Sequence, residues 1–171
     1  MKLVSVQVGS PRTVRWHGKS VSTGIYKEPV AGRIMLYRFN LDGDQQADLT
    51  VHGGKDKAVY VYPSEHYPLW QKEFPDMVLP YGMFGENFTT EGMDKESVHI
   101  GDQFRIGDAV VEVTQPRMPC YKLGVRFARP NMPKRFHASG RCGFYLAVLH
   151  EAKSARAICG NASHETTSRS Q

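Results

Sequence analysis

The sequence predicts a mainly β fold that curls towards a barrel, with a few short helices at its periphery. Three observations predict it: short blocks in which apolar residues alternate, turn chemistry between those blocks, and the paired segments Ile100-Gly-Asp-Gln-Phe104 and Ile106-Gly-Asp-Ala-Val110, which reverse the chain over very few residues. At 171 residues the chain is the size of one domain and can bury a core without disulfide or metal staples.

The blocks follow in order. Val4, Val6 and Val8 form the first, then Ile34, Leu36 and Phe39, then Val59 and Val61, then Val111 and Val113, and finally Phe144, Leu146 and Val148. A period of two over such lengths means half-buried strands. Asp42-Gly43-Asp44, Gly53-Gly54, Gly101-Asp102 and Gly107-Asp108 separate them, supplying residues that accept positive φ or bond their own backbone. A helix is expected from Ser64 to Phe74, with Ser64 as its cap, Glu65 in its positive first turn, Pro68 tolerated near its start and Pro75 as its stop. Shorter helical turns are expected over Tyr121 to Phe127 and Pro133 to Ala138. From Lys153 onward the alternation is lost and small polar residues dominate, so residues 1–152 are expected to form the domain and 153–171 a frayed tail.

Composition excludes several classes. A hydrophobic fraction of 40% and a charged fraction of 23% describe an ordinary globular protein. No stretch approaches the ~18 apolar residues of a membrane helix. Ser5 and Gln7 interrupt the apolar start, which therefore lacks a signal-peptide core, and a cytoplasmic protein with no membrane partner is expected. Lys and Arg number 22 against 17 Asp and Glu, and the pI near 9.2 suits an anionic partner. The cations stand singly rather than in runs, which favours a small anionic ligand over stable nucleic-acid binding. Three widely spaced cysteines, Cys120, Cys142 and Cys159, make neither a disulfide framework nor a CxxC pair.

Three segments carry chemistry. In Thr114-Gln-Pro-Arg-Met-Pro-Cys120-Tyr-Lys-Leu-Gly124, Pro116 and Pro119 fix their own φ and extend the residues before them, so Cys120 stands on a stiff arch. Arg117 and Lys122 place positive charge near the sulfur, which favours a thiolate able to bind a metal or attack an electrophile. The alternative is a cysteine that packs as a small hydrophobe, the role expected of Cys142 before its apolar strand. In Asp48-Leu-Thr-Val-His52-Gly-Gly-Lys-Asp-Lys57 two glycines allow close backbone approach, and His52, Lys55 and Lys57 add donors, although a hairpin turn with solvated lysines would look the same. In Tyr81-Gly-Met-Phe-Gly85-Glu86-Asn87-Phe88 a carboxylate and an amide stand where a strand begins, and either could meet a polar ligand.

Occurring together and in this order, the glycine-aspartate stretch Leu41 to Asp44, Val51 to Pro63, Phe84 to Asn87 and Gln115 to Leu123 resemble the MOSC family, the molybdenum-cofactor sulfurase C-terminal domain, in its stand-alone YiiM-like branch. The resemblance spans about residues 1–150. It implies a MOSC-type β-barrel holding a molybdenum cofactor (Mo-pyranopterin), with Cys120 bonded to the metal as a soft thiolate ligand. It also implies that Lys19 and Ser20 hold the cofactor's phosphate, with Arg117 as a second, bidentate anion grip. The cofactor pocket is expected to be electropositive and to draw on Arg33, Lys55, Asn87 and Lys122 as well.

The activity implied is a molybdenum-dependent oxidoreductase that reduces N-hydroxylated compounds, such as hydroxylaminopurine-type base analogues, to amines, a detoxification. His52 or Glu86 would supply protons. No flavin, haem or iron–sulfur signature is visible, so a separate flavin reductase is expected as electron donor. Other readings stay open: a non-catalytic cofactor-binding or persulfide sulfur-carrier module, and a metal-free cysteine enzyme in which Cys120 and His52 hydrogen-bond. After Leu149 the chain departs from the family's pattern of a further Gly-Asp turn and closing strand, which predicts an incompletely closed barrel with an exposed edge.

Overall fold

The computed structural model describes residues 1–155. Eleven strands are distributed along these residues: β1 (Lys2–Val8), β2 (Arg12–Trp16), β3 (Lys19–Thr23), β4 (Glu28–Pro29), β5 (Met35–Leu36), β6 (Val59–Pro63), β7 (Phe88–Glu91), β8 (Gln103–Ile106), β9 (Ala109–Pro116), β10 (Phe144–His150) and β11 (Ala152–Lys153). Four short helices accompany them: α1 (Leu49–His52), α2 (Tyr67–Glu73), α3 (Tyr121–Phe127) and α4 (Met132–Ser139).

Seven strands form one curled sheet, a half-barrel in the order β4-β1-β7-β6-β10-β9-β8. The pairings are antiparallel except that of β6 with β7, where Val61 lies opposite Phe88. The β8–β9 hairpin turns on Gly107-Asp108, with Ile106 opposite Ala109, as the two-residue connection in the sequence predicts. Among the described residues β8 pairs with β9 alone and β4 with β1 alone, so the half-barrel keeps two free margins. β2 and β3 form a separate hairpin, and β5 pairs with β11.

The core lies on both sides of this sheet. Inside the curl, Leu3, Val6, Val59, Val61, Phe88, Phe104, Val111, Val113, Leu146 and Val148 pack with Leu36 and Leu41. On the outer face Tyr60 and Tyr62 pack with Trp70, Phe74, Phe84, Leu123, Phe127, Met132 and Phe136 beneath α2, α3 and α4. β6 is therefore buried on both faces rather than half-buried, because helices cover what alternation alone assigns to solvent. The Trp70 indole donates to Tyr62 Oη at 2.8 Å, which satisfies the polar tip of each ring inside an apolar layer.

Several expectations are corrected. In β1 Val6 and Val8 pack against the inner core as expected, but Leu3 takes the place expected of Val4, because the register with β7 shifts between Leu3 and Ser5. Phe39 lies outside β5 and is 58% exposed. Ser64 does not cap the following helix: Ser64–His66 is itself a 3₁₀ turn without a side-chain cap, and α2 starts at Tyr67 with Pro68 in its first turn. The domain also extends past residue 152. β11 pairs with β5, Ser154 N–H donates to the Ile34 carbonyl at 2.7 Å, and Ser154 and Ala155 are buried. The remainder of the expected tail, with Cys159, lies outside the described residues. No helix among the described residues is long and apolar enough to cross a membrane.

Candidate functional site

The arch bearing Cys120 is held at both ends. Arg117 N–H donates to the Gly143 carbonyl at 3.1 Å, tying the arch to the start of β10, and Cys120 is the N-cap of α3, its carbonyl accepting from Leu123 N–H at 3.1 Å. Gly143 is required there. It sits at φ +72°, and a Cβ would come within 2.3 Å of the Val61 carbonyl oxygen. The backbone, not chance side-chain packing, thus presents the Cys120 thiol, which is half-buried.

His52 meets that thiol from the other wall. It closes α1, which Asp48 caps by accepting from Thr50 N–H at 3.0 Å, and Gly53-Gly54 then turns the chain away. The His52 Nε2 lies 3.6 Å from Cys120 Sγ. Burial lowers the His52 pKa, and the charges of Lys122, Arg117 and Lys57 lower it further, so the imidazole is neutral at neutral pH.

Cys120 and His52 line one pocket, a cleft open to solvent with a cavity volume of about 80 Å³. Arg117, Lys122, Lys57, Lys27, Asp44, Asn87, Tyr60 and Tyr145 share the lining. Arg117 is buried, its Nη1 donating to the Phe84 carbonyl at 2.5 Å and its guanidinium lying 4.4 Å from the centre of the Tyr60 ring. Lys57 Nζ lies 5.8 Å from the Tyr145 ring centre. Burial raises the pKa of both tyrosines, which stay neutral hydroxyls. Lys27 and Asp44 form a buried ion pair at 2.5 Å, and Asn87 Nδ2 donates to the other Asp44 oxygen at 3.0 Å. The lining is therefore net positive, with Lys27, Lys57, Arg117 and Lys122 against the single carboxylate of Asp44.

The residues expected at the site divide accordingly. Cys120, His52, Arg117, Lys122 and Asn87 come together. Asn87 also braces the frame, its Oδ1 accepting from Tyr60 N–H at 2.9 Å.

Glu86 is displaced from its expected place. Fully buried behind the lining, its carboxylate accepts from Tyr67 Oη, from Gly82 N–H at 2.9 Å, from Phe84 N–H at 3.2 Å and from Thr89 Oγ1 at 3.0 Å. It holds the turn that offers the Phe84 carbonyl to Arg117.

Lys19 and Ser20 are exposed on β3, outside the lining, which that chain segment enters only at Thr23. Arg33 is engaged elsewhere, donating to Asp108 at 2.5 Å and to the Ser154 carbonyl at 2.7 Å. Lys55 is exposed at the start of a 3₁₀ turn whose last residue, Lys57, reaches the pocket instead. Asp44 and Tyr60 lie inside segments the sequence singled out but were not read as lining residues, while Lys27 and Tyr145 lie outside every motif.

Among the described residues no cluster of three or more His, Cys, Asp or Glu could hold a bare metal ion. The pocket offers one thiol beside one imidazole, ringed by cations and two aromatic faces. That donor set fits a metal which arrives already ligated by an anionic organic cofactor.

Comparison with known proteins agrees with this construction. A model of the MOSC domain matches residues 48–158. The protein YflK of Bacillus subtilis is 48% identical over 151 residues, covering 88% of this chain and 68% of its own length. A reductase of Gibberella moniliformis is 39% identical over 135 residues, 77% of this chain but 24% of that protein. The crystal structure of YiiM from Geobacillus stearothermophilus superposes with a TM-score of 0.72 at 35% identity, covering 90% of this chain and 70% of that one.

Proposed function

This chain belongs to the MOSC domain family, and from that premise and its pocket we propose that it is a molybdenum-cofactor-dependent oxidoreductase reducing N-hydroxylated compounds to amines. The observation that carries the proposal is Cys120: a thiol held by backbone geometry in a pocket whose net positive lining suits a phosphate-bearing cofactor. Cys120 would ligate the metal, and Arg117, Lys122 and Lys57 would hold the cofactor's anionic groups. When bound, the cofactor supplies two-electron redox chemistry with oxygen-atom acceptance.

The chain's own residues do the rest. Arg117, clamped to the Phe84 carbonyl, keeps a fixed positive charge beside the thiol. Tyr60 and Tyr145 offer aromatic faces to a planar ligand. The neutral imidazole of His52, beside the Cys120 thiol, would first take up a proton from solvent and then pass it to the substrate's departing oxygen. Glu86, enclosed behind the wall, is a positioning residue. The small substrate would be a hydroxylaminopurine-type base analogue, and the electrons would come from a separate flavin reductase in the cytoplasm.

The test is bound molybdenum per protein and multiple turnover of an N-hydroxylated purine with a chemical reductant, for protein made in cells with an intact cofactor pathway. Cys120→Ser should fold but lose metal and turnover, because a hydroxyl is a poor ligand to a soft metal. Cys142→Ser, whose thiol only donates to the Phe136 carbonyl at 3.4 Å, should keep both. Equal behaviour of the two variants would refute the assignment. The Cys120–His52 contact favours one second reading, a metal-free cysteine nucleophile. In that case thiol-dependent activity would persist in protein made without the cofactor pathway.

A further inference from the structure

The charges of this chain are segregated. Residues 1–27 hold five Lys and Arg and residues 113–150 hold seven, and neither segment contains a single Asp or Glu. The fold brings the two segments together, since Thr23 to Lys27 line the same pocket as Arg117, Cys120 and Lys122. They also touch just beyond that lining. The guanidinium carbon of Arg12 lies 4.4 Å from the ring centre of Tyr26, and that of Arg126 lies 4.9 Å from the same centre.

Two guanidiniums gathered on one ring repel each other, and burial together with the Arg12 charge pulls the Arg126 pKa down. The Arg126 Nε is buried without a hydrogen-bond partner among the described residues. Arg12 has only the solvent-exposed Glu28 at 3.6 Å, a contact that holds little energy. On α3, Arg126 stands four residues after Lys122, so the two share a face of the helix with their Cβ atoms about 6 Å apart. Arg126 and Arg12 thus form a cationic ladder that continues outward along α3 from Lys122 at the pocket, flanked by the Tyr26 ring.

We propose that this ladder binds the phosphates of the substrate, so that the pocket takes nucleotides N-hydroxylated at the base in preference to the corresponding free bases or nucleosides. The inference rests on the reductase reading and names its substrate class. The base enters beside Cys120, while the phosphates lie outward on Arg126 and Arg12. The same phosphate chemistry could come instead from the cofactor, and the experiment separates the two sources.

Adenosine and adenosine 5′-triphosphate, unreactive analogues of that class, are titrated calorimetrically into purified protein of measured molybdenum content. The triphosphate should bind at least about tenfold more tightly, as one charge-assisted contact allows. Arg126→Ala and Arg12→Ala should each remove most of that preference with molybdenum content unchanged, whereas Lys134→Ala, an exposed cation on α4, should keep it. Equal affinities in the wild type overturn the proposal. So does an equal loss in Lys134→Ala, which would mean diffuse charge, and so does loss of molybdenum with the preference intact, which would assign the ladder to the cofactor. A preference dependent on Arg126 and Arg12 in protein devoid of molybdenum upholds the subsite while the reductase reading fails.

Discussion

Arg117 separates shape from charge. One arm of its guanidinium donates to the Phe84 carbonyl while the plane lies over Tyr60, so a lysine would keep the charge but lose the fork and the stacking. Arg117→Lys should therefore lose roughly tenfold to a hundredfold in metal retention or turnover, nearly as much as Arg117→Ala. Full molybdenum and full turnover in the lysine variant would reduce Arg117 to a bystander. Glu86 poses the complementary case. Burial raises its carboxyl pKa, and all its donors come from the protein itself. An amide at this position must turn its NH₂ towards an N–H or O–H, so Glu86→Gln should cost about 1–3 kcal/mol of stability, read by urea denaturation. Unchanged stability with abolished turnover would instead restore the proton-donor role. The sequence made Cys120 and Arg117 legible because two prolines and a strand end fix their geometry locally. It announced Glu86 and Asn87 as polar residues but not which way they face. The Lys27–Asp44 pair has no local pattern at all, since the two residues meet only through the fold.

At the level of elements, Glu73 at the end of α2 clamps the helical layer over the aromatic cluster. It accepts from Arg135 of α4 at 2.9 Å and from Arg141 at 2.8 Å. Partial burial works to raise the Glu73 pKa, but the two guanidiniums outweigh it and the net shift is below the ordinary 4.5. The folded state therefore binds this proton less readily than the unfolded one. The clamp's contribution is fully present above about pH 4.5 and is lost as pH falls through the depressed value. The urea midpoint of Glu73→Gln should accordingly fall less steeply than that of the wild type between about pH 5 and pH 3. Parallel slopes would mean that the pair is too solvated to matter. Among the elements, α3 was legible at its start, where Pro119 and Cys120 end the extended arch, but its stop at Ala128, an alanine in the αL region, leaves no mark in sequence. The double burial of β6 was not, because alternation reports only that a strand has two faces and not what covers each. The short β11 fell in text without an apolar pattern and is placed by main-chain bonds, which leave no trace in side-chain order.

Over the whole molecule, cations surround a pocket rather than line a groove of duplex width. Binding to a short DNA duplex should be weak, with a shallow dependence on salt. Tight binding whose logarithm falls steeply with log salt, as many phosphate contacts require, would contradict a small-ligand site. The margins of the half-barrel are β4 and β8, not the segment after Leu149 where an exposed edge was expected, and that segment instead pairs with β5 as β11. The position of β1 between β4 and β7 bears on how such a molecule is made. Lys2 lies opposite Glu91, so β1 leaves the ribosome long before its principal partner has been translated. Until Phe88–Glu91 emerges, Leu3 and Val6 have only the two-residue β4 to join and stay open to chaperones, whereas β8 and β9 can zip together as soon as both exist. Docking of β1 thus waits on the translation of β7.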